Sequence, residues 1–106
     1  MSNFDKLENL IKKEIHKLRN LGEHSRKGSD HLSYRSLIKF ELGKPKELIF
    51  QDKLIFEVTC KYDIYTETEF LHTPEMDEYY TEHYHDKFIF DEEFKIIEII
   101  DIRNRE

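Results

Sequence analysis

Apolar residues recur at Phe4, Leu7, Leu10, Ile11, Ile15, Leu18 and Leu21, close to the 3.6-residue period of an α-helix. Lysines and glutamates fill most positions between them. Ser2, followed three residues later by Asp5, resembles a capping box, and Asn20-Leu21-Gly22 supplies a stop, since glycine accepts a left-handed cap. Such a helix is marginal in water and needs a sheet to lie on. The spacing predicts packing through Leu7, Ile11, Ile15 and Leu18.

After a polar loop, EHSRKGSDH at 23–31, the period becomes two. His24 and His31 fall in this loop and receive no function. In YRSLIKFEL the alternation puts Tyr34, Ser36, Ile38, Phe40 and Leu42 on one side, with Arg35, Lys39 and Glu41 on the other. Gly43-Lys44-Pro45 breaks that strand, ELIF is a short one, and QDK is a turn. Seventeen residues, LIFEVTCKYDIYTETEF, then alternate. Leu54, Phe56, Val58, Cys60, Tyr62 and Ile64 share one face. HTPEMD is a loop, and YYTEHYHDKFIF and FKIIEIIDI are strands joined through Asp91-Glu92-Glu93. The expected architecture is α+β: one N-terminal helix packed on a four- to five-stranded antiparallel meander sheet, since consecutive strands usually neighbour one another.

This order resembles the cystatin-like architecture and, within that group, the NTF2-like proteins. The ending FIFDEEFKIIEII, residues 88–100, is similar to the final hairpin of many NTF2-like domains, with its aromatic strand, acidic turn and Lys-Ile pair. The resemblance implies a sheet wrapped around the helix. The chain has no room for the further helices of typical NTF2-like proteins. It also lacks the Gln-x-Val-x-Gly loop with which cystatins block proteases, so inhibition is not implied.

At 106 residues the chain reads as one domain, 1–106. No apolar run approaches the ~20 residues of a membrane span, and MSNFDKLENL is unlike a secretion signal, so the expected location is cytoplasmic, with no membrane partner. Cys60 is the one cysteine, set in an alternating apolar pattern, so a buried inert thiol is expected rather than a nucleophile. Residues 1–50 carry 11 Lys/Arg against 7 Asp/Glu, and residues 51–106 carry 6 against 16. The resulting net charge of −6 suits nucleic acid poorly, because phosphate neutralisation dominates that binding. Arg19, Arg26, Lys27, Arg35, Lys39, Lys44 and Lys46 read as a solvated basic face, and no nucleic-acid partner is expected.

Two constellations could carry chemistry. Tyr80, Glu82, Tyr84 and Asp86 share the parity of Phe88 and Phe90 and so face the helix. Together with Tyr62 and Thr66 they would form a tyrosine–carboxylate recess for a small molecule, or for acid–base work if burial raises a carboxyl pKa. On the opposite face His83 and His85 lie about 7 Å apart by strand rise. That spacing could chelate a metal with help from His72, Glu75 or Asp77, yet no glycine-bounded signature surrounds the pair, and neither metal nor cofactor is expected. A two- or four-residue loop centred on Glu92-Glu93 would set Lys87 opposite Glu98, Glu82 opposite Arg103, Ile89 opposite Ile96, His85 opposite Ile100 and His83 opposite Ile102. Four isoleucines (Ile89, Ile96, Ile100 and Ile102) would then gather beside two imidazoles on the face away from the helix. Contiguous apolar surface marks a contact site, and acidification would place charge in it. The leading reading is a non-enzymatic domain acting through protein contacts, as a homodimer. The alternative is an NTF2-like small-molecule-binding or lyase/isomerase-type domain built on the recess.

Overall fold

The 3.6-residue stripe folds as α1, Asn3–Leu18. The structure is a computed structural model and describes residues 3–25, 31–70 and 72–103. Ser2 of the expected cap, residues 26–30, and the side chains of Phe4, His24 and His31 lie outside the described residues. Leu7, Ile11 and Ile15 are fully buried, but Leu18 is 42% exposed. Four-residue steps keep a narrow seam in register down the helix, whereas Leu18 lies three residues beyond Ile15 and rotates off it. The stop differs as well. Asn20 adopts the left-handed conformation (φ 51°), with Asn20 N–H donating to Lys17 O and Leu21 N–H to His16 O. That pattern is a Schellman cap closed by asparagine, and Gly22 already begins the sheet.

Six strands follow: β1 (Gly22–Ser25), β2 (His31–Leu42), β3 (Lys46–Phe50), β4 (Lys53–Phe70), β5 (Glu78–Phe90) and β6 (Ile96–Asp101). All pairs are antiparallel, in the order β1-β2-β4-β5-β6, with β3 on the first part of β4. The molecule is α+β, one helix against a curled antiparallel sheet. β1 occupies the start of the expected polar loop, pairing Gly22–Ser25 with Leu32–Arg35. Gly43 lets the chain pass from β2 to β3 without leaving β4: its N–H bonds Thr59 O at 2.7 Å, and a Cβ there would stand 2.5 Å from Thr59 Oγ1. The β3–β4 turn has positive φ at both Gln51 and Asp52, as a tight hairpin turn of matching twist requires.

Val58, Cys60, Tyr62 and Ile64 from β4 meet Tyr84, Phe88 and Phe90 from β5 under Leu7, Ile11 and Ile15, and half-buried Phe56 packs against them on the same face. Two bulges break the expected alternation. One at Ile38 reverses the parity of β2, so Phe40 and Leu42 face the core while Tyr34 and Ser36 turn outward and Arg35 turns in beside Thr66. The other follows Ile96: Ile89 pairs with Glu98 but Phe90 pairs with Ile96. The expected Lys87–Glu98 register is therefore corrected. Lys87 stands opposite Ile100 and Phe88 opposite Ile99, and Ile96 packs on the core instead of joining the outer face.

A 16-residue helix spans about 24 Å, whereas the 18 residues of β4 span about 60 Å. The molecule accordingly measures 58 × 29 × 26 Å with a radius of gyration of 17.2 Å, against about 13 Å for a compact chain of this length. The sheet overhangs its helix at both ends. At one end β5 stops at Phe90, opposite Phe56, and β3 with the start of β4 runs on as a two-stranded arm.

Candidate functional site

Beyond the last buried turn of α1, the inner face of the sheet changes from apolar to polar. Tyr62 and Tyr84 are cross-strand neighbours with rings stacked at 5.3 Å. Cys60 stands opposite Asp86 and Ile64 opposite Glu82. Arg19, one residue past the helix, lies over the Tyr84 ring at 3.9 Å. It donates from Nε to Tyr62 Oη (3.0 Å) and from Nη2 to Asp86 Oδ2 (3.2 Å), while the Tyr62 hydroxyl donates to the same Asp86 oxygen. From β2, Arg35 donates from Nε to Arg19 O (2.9 Å) and from Nη1 to Thr66 Oγ1 (3.0 Å) and Glu82 Oε1 (3.1 Å). Tyr84 completes the network by donating to Glu82 Oε2 at 2.7 Å.

Four of the five expected recess residues, Tyr62, Glu82, Tyr84 and Asp86, thus meet in one network. Tyr80 shares their face but is exposed and joins none of these bonds. The two arginines, read from sequence as part of a solvated face, complete it. Arg19 was legible: it continues the four-residue steps of Leu7, Ile11 and Ile15. Arg35 was not, because only the bulge at Ile38 turns it inward.

Each guanidinium in the network has a carboxylate partner, Arg19 with Asp86 and Arg35 with Glu82. Burial, reinforced by hydrogen bonds to Asp86 and Glu82 respectively, raises the Tyr62 and Tyr84 phenols above their ordinary value. The Tyr84 hydrogen bond and the Arg35 charge hold Glu82 below its ordinary value. These shifts carry all three groups away from neutrality, opposite to the tuning that general acid–base work at pH 7 needs. Asp86 is completely buried, and its Oδ1 has no hydrogen-bond partner among the described residues. Leu18, Arg19, Asn20, Ser33, Arg35 and Tyr84 border a solvent-open recess of about 630 Å³.

No family model, curated protein or solved structure matches this chain.

On the outer face, His83 Nδ1 lies 2.7 Å from Asp63 Oδ1, with 77% of the His83 side chain exposed. His85 is half-buried opposite Lys61. Arg103 bonds His83 O at 3.2 Å and Ile102 N–H bonds His85 O at 2.9 Å, so residues just past β6 lean back on the histidine strand. Glu82 and Asp86 alternate onto the other face, and Asp77 accepts from Phe70 N–H at 2.7 Å. Among the described residues no three His, Cys, Asp or Glu side chains converge as a metal-binding group.

Cys60 lies in the core, and burial, with the Asp86 charge beside it, pushes its thiol up to about 12. A disulfide reagent at pH 8 is expected to leave the folded protein unlabelled and to titrate one thiol in denaturant. Rapid labelling of the folded chain would contradict this placement, since only the thiolate reacts.

Proposed function

We propose that this is a small non-enzymatic cytoplasmic domain that works through protein contacts, as a homodimer, with the helix-on-sheet plan of the cystatin-like proteins. One observation carries the reading: on this elongated molecule Ile49 and Phe50 of β3 and Ile97 of β6 stand 78%, 61% and 56% exposed. Large apolar side chains left in water gain by being covered in a contact. The tyrosine–carboxylate–arginine network supports the same reading, because its charges pair with one another. Of the outer-face set, Ile100 and Ile102 lie half-exposed beside His83 and His85, and Ile89 is already covered within the chain.

A second reading, an NTF2-like small-molecule or lyase/isomerase-type domain, is favoured by the recess between Arg19 and Arg35. Native mass spectrometry separates the two. Twice the 13.0 kDa chain mass without an adduct supports the interaction domain. A monomer carrying a retained small molecule, lost when Arg35→Gln removes the recess guanidinium, would replace it with the second reading.

A further inference from the structure

We propose that Arg103 is a clasp on a sheet edge: held by Asp101, it keeps the first half of β5 from pairing with the same strand of a second copy. This role goes beyond the self-association reading above and does not depend on it. β6 pairs with β5 only from Asp86 to Phe90, and the ladder gains one more bond, from Ile102 N–H to His85 O at 2.9 Å. Antiparallel strands turn the backbone groups of alternate residues to opposite sides. Tyr79, Thr81 and His83 therefore direct their N–H and C=O as His85 does, away from β4. On that side His83 O accepts from Arg103 Nη1 at 3.2 Å, and among the described residues no strand pairs with Tyr79 or Thr81.

A bare edge invites a further strand, and bulges, prolines or lysines usually blunt it. Where β2 runs on past β1 it carries the bulge at Ile38 and then Lys39. From Glu78 to His85, β5 has no proline or lysine, and its register with β4 is unbroken. Tyr79, Tyr80 and Thr81 are strand-forming residue types, and the two tyrosines stand 55% and 45% exposed. The edge also matches itself. Pairing two copies about Thr81 sets Tyr79 opposite His83 and Tyr80 opposite Glu82, while Glu78 falls opposite Tyr84, so no like charges meet directly. Glu82 is already paired with Arg35. Such a ladder runs only about 17 Å, a small contact that holds weakly, so one obstruction decides whether it forms. Arg103 is that obstruction, because His83 O belongs to the same ladder. Its grip is firm: Asp101 Oδ1 accepts the Arg103 N–H at 3.0 Å, and Nε and Nη2 bond Asp101 Oδ2 at 3.1 and 2.8 Å. The guanidinium also lies 4.6 Å from the centre of the Tyr84 ring.

Sedimentation of the full chain tests the clasp. Arg103→Ala removes it, and Asp101→Ala releases its hold without touching β5. Each is expected to lower the concentration at which copies associate about tenfold relative to wild type, with the melting temperature held. Adding Thr81→Pro should cancel that gain, since the Thr81 N–H points away from β4 and proline there costs no ladder bond within the chain. In the Arg103→Ala chain, Thr81→Cys should oxidise to a disulfide between copies, because residue 81 then faces itself across the pair. Unchanged association in both single variants, or a gain that survives Thr81→Pro, would overturn the clasp. The wild type's own mass, read in the same runs, bears on the self-association reading alone.

Discussion

Asp86→Ala is expected to cost about 3–5 kcal/mol of stability, the scale for removing one partner of a buried ion pair, measured by urea unfolding. The carboxylate lies inside the core and takes bonds from both Arg19 and Tyr62. Its loss takes the carboxylate from a largely buried guanidinium, which keeps Tyr62 Oη as an acceptor, and the acceptor from a buried hydroxyl, which is costlier than never having placed them there. Two comparisons locate the cause. Tyr62→Phe removes one neutral hydroxyl, the donor to Asp86 and the acceptor of Arg19 Nε, and leaves Arg19 Nη2 on Asp86, so about 1.5–3 kcal/mol is expected. The pair Arg19→Met with Asp86→Leu removes both charges and should recover most of the loss. An Asp86→Ala cost below about 1 kcal/mol would show that the network does not tie the helix end to the sheet. Acid probes the other half of the network. Glu82 has a folded-state pKa below its unfolded value, so its contribution is present above the ordinary glutamate value of about 4.3. That contribution is lost as pH falls through the depressed value.

The same network shows where the sequence was legible and where it was not. Phe88 and Phe90 fix which side of β5 meets the helix, and strict alternation from Leu54 to Ile64 does the same for β4. The meeting of Tyr62, Glu82, Tyr84 and Asp86 follows from those two parities alone. Arg35 depends on a third strand, and β2 does not keep its alternation. The bulge at Ile38 shifts every residue before it by one, and a one-residue slip exchanges the two faces. Nothing in SLIKF marks that position, because Leu37 and Ile38 are equally apolar and either could be taken into the core.

The last hairpin went astray for a different reason. A short turn centred on Glu92-Glu93 was expected, but the turn runs through Phe94, a non-glycine residue at φ 62°. Asp91 Oδ1 accepts the N–H groups of Glu93 and Lys95, each at 2.9 Å. The left-handed backbone places the Phe94 ring against Phe56 at 5.2 Å, so a distant packing contact offsets a strained local conformation. The longer turn and the bulge after Ile96 together move the register by two residues. Parity survives a two-residue shift, which is why Ile100 and Ile102 still share a face with His83 and His85. Ile96, on the near side of the bulge, does not.

The helix offers a sharper contrast, because the stripe read from sequence included one residue that the fold excludes. Ile11→Ala is expected to cost about 2–5 kcal/mol: Ile11 is fully buried, and the rigid sheet beneath it cannot collapse into the space left by the lost methyl groups. Leu18→Ala removes a similar volume from a side chain that keeps much of its water contact, so its cost should stay within about 0.5 kcal/mol, the usual range at the surface. Alanine is also the better helix former, which offsets part of even that loss. Urea unfolding of both variants at one pH makes the comparison independent of the denaturant extrapolation they share. Equal costs would mean that the seam runs through Leu18 and that Arg19 does not continue it. The ion pair with Asp86 would then lose its geometric basis, since Arg19 reaches the core only by following Leu7, Ile11 and Ile15 along the same row.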